Sequence, residues 1–137
     1  MLEQERIDLA RHRLAASLDD YNAALSLLNE SHYKAANNRA YYCIFHAIRA
    51  ILALEGKDFK KHSTLIGYFN QYYVHTGIFD KEYSRIVMQA SIIRGASDYN
   101  DFYIADKSET QAQIESAMAF YEAVQAYLDR RFAEENT

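Results

Sequence analysis

The sequence predicts an all-α protein, an antiparallel bundle of about five helices. Three observations carry this. The 137 residues include no proline and only four glycines, so long helices meet few breakers. Apolar residues recur at spacings of three, four and seven in five successive segments. Short polar or glycine-containing breaks separate those segments, and no repeat, low-complexity tract or linker interrupts them. The length fits one domain spanning residues 1–137, with enough chain to bury a core.

The first helix is expected over Met1 to Asn29. Ile7, Leu14, Leu18, Tyr21, Leu25 and Leu28 follow a seven-residue rhythm that Arg11 interrupts. Ser31 is the expected N-cap of a second helix, from about His32 to Leu54, which stops near Gly56. Ser63 then caps a shorter third helix to about Val74, burying Leu65, Ile66, Phe69 and Tyr73, and Gly77 ends it. Asp80 caps a fourth from Lys81 to about Ala96, with Tyr83, Ile86, Val87, Ala90 and Ile93 inward. Residues 97–107 mix Asp and Asn with aromatics and predict an irregular, functional loop. Ser108 with Gln111 forms a capping box. It opens the last helix, whose buried line is Ile114, Ala117, Tyr121, Val124 and Leu128, and its tail is expected to fray.

Several function classes are excluded. The net charge of -4 argues against a general basic coat for nucleic acid, though it permits a local cationic cleft. The five histidines are scattered, with no HExxH or HxxxH spacing and no Glu-x-x-His pair, so no metal is expected. Phosphate-loop, dinucleotide and GxSxG signatures are missing, and no cofactor is expected. The lone Cys43 falls on the expected core face, which suits a reducing cytoplasm. No signal peptide is visible and no apolar run is long enough to span a bilayer.

The second helix carries the chemistry. Ala40, Cys43, Ile44, Ala47, Ile48 and Ile51 form a small, apolar face. Arg39, Tyr42, His46 and Arg49 form a separate stripe, spaced three, four and three, with no acid among them. Cations and a histidine in one row can grip phosphate and move protons. Tyr41, Tyr42 and Phe45 flank the stripe, more apolar surface than one core should absorb, which predicts a homodimer through this face.

The stretches RAYYCIFHAIRAIL, KHSTLIGYFNQYYVHTGIFDKEYSRIV and RGASDYNDFY resemble the HEPN family of small helical bundles. They are similar in particular to a subgroup with an RAYYAxFHAxRALL second helix and later KHS and DYxDF segments. The resemblance is close over residues 34–102 and holds in pattern for the outer helices. It implies a two-fold dimer that sets two Arg-x(4 to 6)-His motifs face to face, here Arg39 and His46. It implies a metal-independent ribonuclease, often a toxin encoded beside a minimal nucleotidyltransferase antitoxin, with RNA, tRNA included, as substrate. Through the companion segments it adds His62, Arg94 and Tyr99 to Tyr42 and Arg49 as candidate substrate contacts, and Asp101 matches the same segments. Asp98 or Asp101 is a candidate partner for Arg94, or equally a helix cap. The chain departs from the family's ribonucleases at Ala40, where a polar residue is usual. It departs from some toxin relatives at Ile48, where they carry a tyrosine. The alternative reading is a non-catalytic module that binds a nucleotide or the nucleotidyltransferase.

Overall fold

The computed structural model describes residues 3–135. Five helices follow one another: α1 (Gln4–Asn29), α2 (Tyr33–Ala53), α3 (His62–Phe69), α4 (Lys81–Tyr99) and α5 (Lys107–Glu135). One π-helical turn, Asn70–Val74, continues α3. Met1 and Leu2 of the expected first helix, and the last two residues of the tail, lie outside the described residues. Among the described residues no helix is long and apolar enough to cross a membrane.

The helix α2 is the axle, packing against α1, α3, α4 and α5. Arg13, Ser17 and Asp20 of α1 meet Arg49, Cys43 and Arg39 in reverse order, so the two helices run antiparallel. Asn37 meets Ser97 and Tyr42 meets Arg94, so α4 is also antiparallel to α2. The fully buried residues of α1 are small: Ala10, Ser17 and Ala24, seven apart. The large residues Leu14, Leu18, Tyr21, Leu25 and Leu28 are only partly buried and flank that line. The expected seam is therefore real but displaced. Small side chains bring the α1 backbone close to α2, and the leucines close the edges.

Caps differ from expectation in instructive ways. Ser31 does not cap α2. It sits at φ 66 as the left-handed residue that ends α1, with Ser31 N–H bonded to Leu28 O at 3.0 Å and His32 N–H to Leu27 O at 2.8 Å. Gly56, at φ 68, repeats the arrangement after α2, with Lys57 N–H on Leu52 O at 3.0 Å. The third helix starts one residue before Ser63, with Lys61 as its uncapped flank. Asp80 caps α4 as expected, 2.7 Å from Lys81 N. The cap of α5 is Asp106, whose Oδ1 accepts from Glu109 N–H at 2.7 Å, rather than Ser108. The end of α5 stays helical through Glu135 instead of fraying. The α4 helix runs on to Tyr99, past the expected Ala96. Tertiary contacts of Ser97 and Asp98 with α2 override their turn preference.

The core is continuous from α2 outward. Phe69, Tyr73, Phe79, Phe120 and Tyr127 form an aromatic cluster at one end of it. Glu55 closes that end, accepting from Tyr68 Oη at 3.0 Å and from Tyr73 Oη. Tyr41 and Phe45 are absorbed as well, at 2% and 8% exposure. The surplus aromatic surface expected beside the stripe is thus consumed within one chain, because α3 and α4 fold over it.

The α1–α2 contact is testable. Ser17 Oγ donates to Cys43 O at 2.6 Å in a fully buried site. Ser17→Leu should destabilise by about 1–3 kcal/mol through overpacking. Ser17→Ala should cost no more than about 1.5 kcal/mol, one hydrogen bond's worth. Urea denaturation of the two variants beside wild type checks the order.

Candidate functional site

From Ala36 to Leu54, every residue of α2 and its C-cap is buried except five: Asn38, Arg39, Tyr42, His46 and Arg49. The polar stripe is the one seam of this stretch that water reaches. Its members do not stand alone, because acids from other elements answer them.

Tyr42 sits inside a closed circuit of polar groups. Arg39 lies 4.9 Å over its ring. Arg39 Nη1 donates to Asp20 Oδ1 at 2.9 Å, and its Nε and Nη2 donate to Asn38 Oδ1 at 2.9 and 2.7 Å. Asn38 Nδ2 donates to Asp98 Oδ2 at 2.8 Å. The same carboxylate oxygen stands 3.0 Å from Arg94 Nε. That Nε has no well-aligned acceptor, so the Arg94–Asp98 contact is charge attraction rather than a hydrogen bond. Arg94 Nη2 donates to Tyr42 Oη at 3.0 Å and completes the circuit.

His46 lies one turn further along. Its Nε2 is 3.6 Å from Asp20 Oδ2 and its Nδ1 is 3.5 Å from Arg49 Nη1. Arginine can only donate, so we assign Nδ1 as the acceptor and place the neutral ring's proton on Nε2, toward Asp20. Burial holds the His46 pKa below its ordinary 6.5. Asp20 opposes the shift, and Arg49, Arg39 and Arg13 add to it. Burial pushes Asp20 upward, while Arg39 and His46 pull it back. Arg49 is gripped by Asp58, Nε to Oδ1 at 3.2 Å and Nη2 to Oδ2 at 2.9 Å. Arg13 Nη1 donates to Arg49 O at 3.0 Å and its Nη2 reaches Asp58 at 3.4 Å.

The companion residues gather on the other flank. His62 Nδ1 lies 2.9 Å from Tyr41 Oη, and its ring is 4.1 Å from that of Phe45 and 5.8 Å from that of Tyr42. Burial, then Arg94, lowers its pKa. Burial pushes the Tyr41 phenol up to about 12, so it stays neutral. Arg94 spans the aromatics, 5.1 Å from Tyr41, 5.4 Å from Tyr42 and 5.5 Å from Tyr99. Tyr99 is exposed. Of the two candidate acids it is Asp98 that meets Arg94, and Asp101 lies in the exposed turn beyond.

Arg39, Tyr42, His46, Arg49, His62, Arg94 and Tyr99 therefore share one face. Asp20, Asn38, Asp58 and Arg13 belong to it too and were not singled out from the sequence. Asp20 had a signal: it follows Ser17 by three and precedes Ala24 by four, which turns it toward α2. Asn38 had none. No group of three or more His, Cys, Asp or Glu among the described residues is placed to hold a metal ion.

Both histidines carry lowered pKa values, and the sign of the consequence follows. Below pH 6.5 the unfolded chain takes up protons that the folded chain resists. Stability from these groups is whole above about pH 6.5 and is lost as pH falls through the folded values. The urea midpoint should fall between pH 7.5 and 5.5, and His46→Gln with His62→Gln should flatten that fall.

Comparison with known proteins agrees with the fold. The HEPN domain model matches residues 10–127. A UPF0332 protein of Thermotoga maritima is 32% identical over 94% of this chain and 96% of its own length. A Methanocaldococcus jannaschii protein named "Putative toxin MJ0605" is 34% identical over 82% of this chain and 78% of its own. The crystal structure of ST0689, an archaeal HEPN homologue, superposes with a TM-score of 0.62 at 15% identity, covering 87% of this chain and 97% of that one. By sequence and by fold, the chain belongs to the HEPN domain family.

Proposed function

We propose that the Arg39–His46 face is the active site of a toxin-type, metal-independent endoribonuclease, completed in a two-fold dimer of this chain. The observation that carries the proposal is a His46 of lowered pKa on the half-buried seam of α2, its Nδ1 turned to Arg49 and its Nε2 to Asp20, which also holds Arg39. The "Putative toxin" name of a relative supports the toxin half of the reading.

The chemistry needs a base, an acid and charge stabilisation. His46 Nδ1 accepts the proton of a ribose 2′-hydroxyl. The 2′-oxygen attacks the neighbouring phosphorus, and the bond to the 5′-oxygen breaks. The products are a cyclic phosphate and a 5′-hydroxyl, whose proton comes from the second His46 of the dimer in its imidazolium form, so that one copy starts deprotonated and the other protonated. Arg39 and Arg49 hold the phosphate oxygens through their paired donors. Asp20 fixes the His46 ring and balances the imidazolium that forms. His62, Tyr42, Arg94 and Tyr99 border the cleft and contact the flanking nucleotide. One chain supplies one such histidine, hence the need for two copies.

A second reading is a non-catalytic module that binds a nucleotide or a nucleotidyltransferase antitoxin. It draws on Ala40 and Ile48, both in the core at 1% and 0% exposure, where a polar or modifiable residue has no room. Incubation with total RNA and with tRNA, with and without EDTA, separates the two. We expect cleavage indifferent to EDTA. His46→Ala should slow it by roughly 10²–10⁴-fold, and Arg39→Lys should also impair it. Uncut RNA, or wild-type rates from His46→Ala, would remove the catalytic reading.

The pH profile gives a further check. The acid limb of kcat/KM should lie below pH 6.5. Arg49→Gln should move it upward by removing a charge that depresses His46, and Asp20→Asn should move it downward.

A further inference from the structure

A groove runs between α4 and the unit formed by α3 and its π-helical turn. Residues 63–70 share its first half with residues 84–92, and residues 74–75 share its second half with residues 81–85, so its walls run antiparallel. Ser84 lines both halves and makes the groove continuous. The halves differ in chemistry. The first, about 330 Å³, is a trough of Ile66, Gly67, Met88 and Ile92 with Asn70 on its wall. Met88 is 59% and Ile92 65% exposed. The second, about 770 Å³, is walled by His75, Lys81 and Arg85. The arginines of the Arg39–His46 face are each held by an acid, Arg39 by Asp20, Arg49 by Asp58 and Arg94 by Asp98. Lys81 and Arg85 make no ion pair among the described residues. The neighbouring acids are committed elsewhere. Asp80 Oδ1 accepts from Lys81 N–H, and Glu82 lies against the Tyr83 phenol, whose pKa burial and that carboxylate raise.

Asn70 joins the halves. Its Oδ1 is buried and meets no donor. Asn70 also opens the π-helical turn, its backbone O accepting from His75 N–H at 2.9 Å. In an α-helix the fifth residue along points about 140° away. The wider turn brings His75 back over Asn70, onto the wall of the groove. The Asn70 amide has a soft last torsion. Turned into the groove, it presents an acceptor and a donor side by side, the pattern that matches the N–H and C=O of a peptide.

We infer that this groove binds an extended acidic peptide segment of another protein. Its aliphatic side chains fill the trough, its backbone pairs with Asn70, and its carboxylates meet Lys81 and Arg85. From Lys81 to Ile92, α4 rises about 17 Å at about 1.5 Å per residue. About five extended residues cover that length, with alternate side chains turned into the groove. Met88 adapts to aliphatic side chains of different shape. Nucleic acid fits less well, because among the described residues no aromatic side chain lines either half to stack a base. An acyl chain would leave Asn70 unanswered. Arg85 and Arg94 are nine residues apart, two and a half turns, so they leave α4 on opposite sides. Peptide binding is therefore separate from the Arg39–His46 face and does not rest on the ribonuclease reading.

Selection of random dodecapeptides displayed on phage against the full chain tests it. Enriched sequences should alternate aliphatic with acidic residues. The most enriched peptide, made synthetically with a fluorescent label, then gives a Kd by anisotropy. Lys81→Glu with Arg85→Glu should weaken binding by roughly 10-fold or more, since two attractions become repulsions. Gly67→Tyr should block it. A Cβ at Gly67 meets nothing within 4 Å, so the new side chain fills the trough without touching the core, and loss of the glycine favours the helix. Thermal melts followed by circular dichroism should show both variants as stable as wild type. Failure to enrich any sequence, or enrichment of basic ones, would overturn the inference. So would a peptide bound equally by wild type and both variants. If labelled oligouridine or oleate bound through Lys81 and Arg85 while no peptide did, the occupant would be nucleic acid or an acyl chain and the inference would fall. No readout involves RNA cleavage, so the result is independent of whether the chain is a ribonuclease.

Discussion

The burial of α2 governs the rest of the molecule. Four helices pack around it, and alanines at 36, 40, 47, 50 and 53 let them approach closely. A helix enclosed this way has no second wet face to offer. Polar side chains on it must crowd into the one gap the neighbours leave, where each is forced against the next. The row of Arg39, Tyr42, His46 and Arg49 is thus set by packing as much as by chemistry. Its proximity to α1 and α4 follows, because those two helices are the walls of the gap. The depressed basicity of His46 has the same origin, since the walls that create the gap also dry it.

Much of this was legible in the residues. The core face of α2 needed only a period of 3.6, and Ala40, Cys43, Ile44, Ala47, Ile48 and Ile51 are all buried. The line of Ile114, Ala117, Tyr121, Val124 and Leu128 in α5 is buried for the same reason. Periodicity says which residues share a face. It does not say which of two faces another helix will cover. The leucines of α1 looked like the seam, but Ser17 and Ala24 hold it, because close approach favours small volume over hydrophobicity. The caps were misplaced by one or two residues at Ser31, Ser63 and Ser108: Asp106 takes the role from Ser108, while His32 and Lys61 flank α2 and α3 without a side-chain cap.

The site was legible on α2 and opaque elsewhere. A stripe with four polar members is visible in a linear string, whereas its counter-charges come from positions 19 and 9 residues away. Asp20 stands beside Asp19, and only the turn of the helix separates a half-buried partner of arginine from a solvated acid. Asn38 is the clearest omission. It is an uncharged residue next to Arg39, yet it joins α2 to α4 through Asp98. Nothing in an amide's chemistry announces that role before the helices are in place.

The arginines of this face are engaged before any ligand arrives. Asp20 holds Arg39 and Asp58 holds both oxygens against Arg49. An anion could reach these arginines only by exchange, displacing a carboxylate that already solvates the cation. Dissolved counter-ions are released in smaller number than the count of arginines implies, so affinity should depend on ionic strength more gently than at a bare basic patch. The carboxylates are tethered beside the arginines, so any anion that came to this face would meet a competitor that cannot diffuse away.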